Sequence, residues 1–156
     1  MSPTRFDWVL IDGYSLLHRD PELAPMIGQN LDLARQLLLR KADRIAGPWA
    51  ERVTVVFDGK QSKQTLCAEH IDVEVLFAPA KYTADTVIER LVMAALDPGR
   101  VLVVTSDRAE RETVMAAGAD SMSCGHFLNQ DQPVRTAPGY SSKSKGKPFT
   151  LGDCFL

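Results

Sequence analysis

The chain has 156 residues, a formal net charge of −2, 45% apolar residues and 24% charged residues. These are ordinary globular values, with room for one domain and a real core. They do not mark a nucleic-acid binder and do not exclude one, because a local basic patch can supply phosphate affinity.

No apolar run approaches the ~20 residues of a membrane span. The start, Met1 to Asp7, lacks the charged and apolar regions of a signal peptide. Cys67, Cys124 and Cys154 are odd in number and far apart. Reduced thiols in the cytoplasm are expected, not a disulfide frame or a zinc knuckle. His18, His70 and His126 show no ligand spacing with them or with each other.

Trp8 to Ile11 reads as the first strand, followed by a loop or short helix from Tyr14 to Pro21. Asn30 can cap a helix running to Ala46, with Leu31, Ala34, Leu37, Leu38, Ala42 and Ile45 on one apolar face. Gly47-Pro48 ends it. Val53 to Phe57 is a second strand, and the polar stretch from Gly59 to His70 is an excursion near its end. Val73 to Phe77 is a third strand. The clearest helix runs from Thr83 or Ala84 to Leu96, because Ala84, Val87, Ile88, Leu91, Val92 and Ala95 keep the helical period. Val101 to Thr105 is a fourth strand. Ser106 or Asp107 caps a helix through Ala117, with Gly118 at its C′ position. A short fifth strand at Asp120 to Met122 and a last turn capped by Ser123 follow.

Strands that alternate with helices predict a mostly parallel sheet with helices on both faces, an α/β fold of three layers. The domain spans residues 1–130. The texture changes in 131–156, where Gln132 to Gly152 holds Arg135, Lys143, Lys145 and Lys147 with no acid and much Pro, Gly and Ser. That stretch reads as a flexible basic tail.

Three apolar runs end on an aspartate: Asp12, Asp58 and Asp107. The carboxyl edge of a parallel sheet is where open α/β folds place their ligands. Asp85 adds a fourth acid in the first turn of the best helix. Each alone has a structural use, as a turn residue, a cap or a partner of the helix dipole. Together they repel one another unless a cation lies between them. Hard oxygen ligands suit Mg²⁺ or Mn²⁺, and one or two such ions can drive phosphodiester hydrolysis. Arg108 and Arg111 open the next helix and are placed to reach a phosphate. The alternative puts them on a solvated helix face with Glu110 and Glu112. His18 reads as a structural or substrate-edge residue, and Trp8 and Trp49 as packing at the sheet ends.

Other acid-based schemes fit less well. A haloacid-dehalogenase phosphatase needs a second acid where Tyr14 stands. There is no Walker loop, no GxGxxG and no GxSxG. The acidic pair of a receiver domain is absent.

The run Val9-Leu10-Ile11-Asp12-Gly13-Tyr14-Ser15-Leu16-Leu17-His18 resembles the opening DGYN-type motif of the YacP-like NYN domains. Pro21-Glu22-Leu23, Val55-Val56-Phe57-Asp58, Phe77, the segment from Tyr82 to Leu91, Val104 to Arg111, Gly118-Ala119 and Met122 to Leu128 continue it in order. The resemblance covers roughly residues 7 to 130. It implies a PIN-like nuclease fold, with Asp12, Asp85 and Asp107 as catalytic, metal-holding acids and Asp58 as a fourth ligand or a support. It also implies RNA as the substrate, free or within an assembly such as the ribosome. Ser15 departs from the family's Asn and keeps a donor and an acceptor with shorter reach. Lys81 stands where many relatives carry an acid.

The expected function is a divalent-metal-dependent endoribonuclease in RNA decay or processing, using Mg²⁺ or Mn²⁺. Ser15, Ser106, Arg108, Arg111, Lys143, Lys145 and Lys147 are the candidate substrate contacts. A non-catalytic RNA- or ribonucleoprotein-binding module and a structure-specific DNA nuclease are the alternatives. The retained acids favour an enzyme, since their mutual repulsion is otherwise a needless cost.

Overall fold

A computed structural model describes residues 5–58 and 72–131. The polar excursion from Gly59 to His70, and the tail with Arg135, Lys143, Lys145 and Lys147, lie outside the described residues.

The chain begins with strand β1, Phe6–Asp12, and turns directly into helix α1, Gly13–Arg19. A 3-10 turn at Ala24–Met26 leads to helix α2, Leu31–Ala46. The Asn30 side chain accepts from the Leu33 amide at 3.1 Å, so the expected cap is made. Asn30→Ala is expected to cost about 1 kcal/mol, which lowers the melting temperature by roughly 3 °C. A thermal melt followed by circular dichroism checks this, and an unchanged melt would show that the α2 start is held by packing alone.

Strands β2, Ala50–Phe57, and β3, Val73–Phe77, come next. Helix α3 is Ala84–Ala94, β4 is Val101–Val104, α4 is Arg108–Ala116, β5 is Asp120–Met122 and α5 is Cys124–Asn129. Helix α3 stops short of Leu96. Ala95 is already extended, and Asp97 is kept out of the helical region by Pro98, which starts a second 3-10 turn. Leu96 is left fully exposed. Gly118 has φ +108°, the left-handed geometry expected just past α4.

The five strands form one sheet in the order β3-β2-β1-β4-β5, and every pairing is parallel. The chain builds outward from β1 through β2 to β3, then returns to β4 on the other side of β1. The topological switch point therefore falls between β1 and β4, and the crevice opens beyond their carboxyl ends.

Two cores flank the sheet. One gathers Val9, Ile11, Val55, Phe57, Leu102 and Val104 against α1, α2 and α5. The other gathers Leu10, Val56, Val101 and Val103 against Ala84, Ile88 and Val92 of α3 and Val114 of α4. This is the three-layer α/β/α arrangement.

Side chains on a strand alternate between its faces. Leu10, Val56 and Val103 point toward α3 and α4, so the residues two places on, Asp12, Asp58 and Thr105, belong to that same side. Three apolar rows thus end in polar residues beside the first turns of α3 and α4. At the opposite end of the sheet Trp8 donates to Thr54 Oγ1 at 2.9 Å and carries the Arg52 guanidinium 3.9 Å from its ring centre. Trp49 meets Phe127 edge-on at 5.6 Å. Both tryptophans are packing residues.

Candidate metal centre

Asp12 ends β1 and caps α1. Its Oδ1 accepts from the Ser15 amide at 3.3 Å and its Oδ2 from the Thr105 hydroxyl at 3.4 Å. These bonds hold the carboxylate, which is buried, at the switch point. Tyr14 is fixed from behind by Arg35, whose Nε donates to its hydroxyl at 3.1 Å. Ser15 joins α1 to the β4–α4 loop, because its hydroxyl oxygen accepts from the Ser106 amide at 3.4 Å.

Asp85 lies in the first turn of α3. That turn is tied to the end of β2 by Asp58, whose Oδ1 accepts from the Ala84 amide at 2.9 Å. Asp58 thereby sets where Asp85 stands. This bond gives Asp58, expected as a ligand or a support, a structural tie to the α3 start.

Glu110 completes a group of three acids that could hold an ion, and Asp107 stands nearby at the start of α4. One carboxylate oxygen each from Asp12, Asp85 and Glu110 lie within 4.8 Å of one another. Asp107 is the cap of α4, and its Oδ1 accepts from the Ala109 and Glu110 amides at 2.9 and 3.3 Å. Sequence reasoning named Glu110 only in the alternative of a solvated helix face. It is 2% exposed. The spacing Asp107-x-x-Glu110 matches a capping box, in which Glu110 would turn back to the Asp107 amide. Thr105 Oγ1 takes that amide instead, at 3.2 Å. Glu110 is freed and follows Val114, one turn on, into the buried face of α4. A signal existed in the sequence, since an acid one turn before Val114 stands on the apolar stripe.

The chain matches the family model for the YacP-like NYN domain over residues 9–146. The chain belongs to the YacP-like NYN domain family. The protein YacP of Bacillus subtilis (strain 168) is 31% identical over 134 residues, which cover 82% of this chain and 76% of that protein. A crystal structure of Rae1 (YacP) from Bacillus subtilis superposes with a TM-score of 0.67 at 32% identity, over 80% of this chain and 73% of that one. A tryptophan-to-leucine mutant of the same protein gives a TM-score of 0.64 at 29% identity, over 80% and 74%. The family is nuclease-like. Its match continues past residue 130 into the stretch read as a tail.

The electrostatics of this NYN domain follow from the gathering of acids. Burial pushes the Asp12 carboxyl up to about 6, and the nearby charges of Asp85 and Asp58 add to that rise against the Ser15 amide bond. Burial raises Glu110 to about 8, helped by the charges of Asp85 and Asp12 against the neighbouring Thr105 hydroxyl. Asp85 is also raised, by burial and then by Asp107 and Asp58. Thr105 and Asp85 stand beside the Glu110 carboxyl, but neither of its oxygens completes a well-aligned hydrogen bond among the described residues. A buried carboxylate without a donor is strongly disfavoured unless a cation or a proton supplies the missing charge. The oxygen-only donor set fits a hard divalent ion.

A cavity of about 380 Å³ lies beside Asp12, lined by Asp12, Tyr14, Ser15, His18, Arg19, Asp58 and Ser106. Ser15 and Ser106 thus line this cavity. Arg108 and Arg111 are not among the wall residues. Arg108 is exposed, with Glu112 4.0 Å away, as on the solvated face of the alternative reading. Arg111 is partly buried and its Nε has no hydrogen-bond partner among the described residues. No helix among the described residues is long and apolar enough to cross a membrane.

Proposed function

We propose that this protein is a divalent-metal-dependent endoribonuclease that hydrolyses RNA phosphodiester bonds with Mg²⁺ or Mn²⁺. The observation that carries the reading is the convergence of Asp12, Asp85 and buried, unpartnered Glu110 at the switch point of a nuclease-like fold. These three side chains would hold the ion. When bound, a divalent ion supplies a water nucleophile at neutral pH and stabilises charge on the leaving oxygen.

The remaining work falls to the chain itself. The Ser15 amide and the Thr105 hydroxyl orient Asp12. Asp58 holds the α3 start so that Asp85 faces Asp12. The hydroxyls of Ser15 and Ser106 line the cavity and offer donors to phosphate oxygens. RNA, free or in a ribonucleoprotein such as the ribosome, is the substrate under this reading, and the cytoplasm is the site of action. Lys143, Lys145 and Lys147 would tether the same polyanion through sequence-independent phosphate contacts.

The test is cleavage of mixed single-stranded RNA and DNA in one tube, with EDTA and then Mn²⁺ or Mg²⁺ added back. RNA fragments that vanish in EDTA and return with Mn²⁺ support the proposal. Cleavage of DNA alone would move it to a DNA nuclease. Tight RNA binding without cleavage in either metal would leave only a binding module.

Ser15→Asn restores the residue that the family carries at this place. It is expected to fold normally and to cleave as well as the wild type or better. A severe loss in single-turnover rate would show that the bond from the Ser106 amide to Ser15 Oγ needs the shorter side chain.

A further inference from the structure

Beyond the acidic cavity lies a second one, of about 490 Å³, along the start of α5. Ser123, Gly125, His126 and Asn129 form much of its wall. Arg19, at the end of α1, lines both cavities. Arg19 is thus the residue that the two cavities share. Their chemistry differs. The first holds Asp12 and Asp58, whereas no acid lines the second.

Arg19 is exposed, and no carboxylate pairs with it among the described residues. Its head lies along the backbone of α5. A Cβ added at Gly125 would stand 3.0 Å from Nη2 and 3.5 Å from Cζ of Arg19. Gly125 thus leaves the space in which the guanidinium rests, between an acid-lined site and a neutral-to-basic recess. A planar fork of donors at that position suits a phosphodiester oxygen pair.

We infer that the α5 cavity is the subsite for the nucleotide next to the scissile bond, with Arg19 holding that nucleotide's phosphate. The inference rests on the nuclease reading above and extends it to single-stranded RNA as the substrate class. A strand that passes Arg19 from one cavity to the other puts one phosphate beside Asp12 and the adjacent one on Arg19. The base then enters the recess beside His126, whose ring is exposed.

The test compares wild type, Arg19→Gln, Gly125→Ala and Arg52→Gln in the full-length chain. Steady-state cleavage of a short single-stranded RNA is measured in Mn²⁺. Fluorescence anisotropy of the same RNA across a potassium chloride series is measured in an Asp85→Asn background. Arg19→Gln is expected to raise KM about tenfold with kcat nearly unchanged, the value of one charge-assisted phosphate contact. It should also lower the slope of log affinity against log salt by ~0.7, the share of one phosphate.

Gly125→Ala keeps the charge but shifts the guanidinium, so a smaller KM rise with an unchanged melting temperature is expected. Arg52, at the other end of the sheet and paired with Glu74 at 3.0 Å, is the control for simple loss of charge. A wild-type KM and salt slope for Arg19→Gln would overturn the subsite, as would an equal effect from Arg52→Gln. Should the wild type bind RNA but not cleave it, the nuclease reading fails, and the salt slopes alone still decide whether Arg19 holds a phosphate.

Discussion

Glu110→Gln, Asp12→Asn and Asp85→Asn are each expected to lower Mn²⁺-dependent RNA cleavage by on the order of a thousandfold, and Asp107→Asn by no more than about tenfold. The contrast follows from geometry. Each of the first three offers an oxygen to a common point, with the oxygens within 4.8 Å of one another. An amide in place of any one removes a formal charge from the group that would hold the ion. Asp107 contributes charge near Asp85 and Glu110. Its Oδ1, however, is committed to the Ala109 and Glu110 amides. Asn caps a helix as well as Asp does, so Asp107→Asn keeps α4 in place. Single-turnover rates, with circular dichroism to confirm folding, decide the matter. A loss at Asp107 as large as at Glu110 would put Asp107 in the ligand set. Full activity in Glu110→Gln would remove Glu110 from it.

The second large effect concerns stability against pH. In EDTA the wild type is expected to lose stability steadily from about pH 4.5 to pH 8, and Glu110→Gln to flatten that decline. Glu110 is raised from its ordinary 4.5 to about 8 in the folded chain. Between those values the folded state binds more protons than the unfolded one. Stability therefore falls as pH rises, and the favourable contribution is fully present only below the unfolded value. Asp12, raised from 3.8 to about 6, adds to the acidic half of the same decline. At pH 8 Glu110→Gln should be more stable than the wild type by on the order of 2 kcal/mol, or roughly 6 °C in melting temperature. Mn²⁺ should reverse the order. It stabilises the wild type more at pH 8 than at pH 6, because it competes with protons for the same oxygens, and it leaves Glu110→Gln nearly unmoved. Thermal melts at several pH values, with EDTA or Mn²⁺, read all of this. A Glu110→Gln protein less stable than the wild type at pH 8 in EDTA would mean that Glu110 has a structural partner and not a vacant charge.

Much of the architecture was legible without the structure. The β-branched runs at Val9–Ile11, Val53–Phe57 and Val101–Val104 are strands, because residues buried on both faces leave a continuous apolar signature. The stripe from Ala84 to Ala95 marks α3, and Asn30, Asp107 and Ser123 all cap helices. Caps act over three residues, so local sequence decides them. The strand-end aspartates also pointed to the correct edge of the sheet. A parallel strand carries its direction in the order of the chain, and every crossover returns to the same edge.

The membership of the acidic centre was decided by tertiary structure alone. In sequence, Asp107 and Glu110 are both acids at a helix start, and the capping-box spacing even assigns Glu110 a local partner. Thr105 lies on the same side of the sheet as Asp12 and fills the Asp107 amide. That bond spans only two residues, but the gathering of Glu110 with Asp12 and Asp85 exists only once α3 and α4 are packed on the sheet. Asp58 was likewise ambiguous until β2 and the α3 start came together at the Ala84 amide. The Arg19–Gly125 approach joins residues more than a hundred positions apart and leaves no local mark. Local propensities act over a turn or a strand, so they determine which elements form and which edge bears the acids. Which side chains are left without partners depends on contacts between distant elements, and only the packed chain settles those.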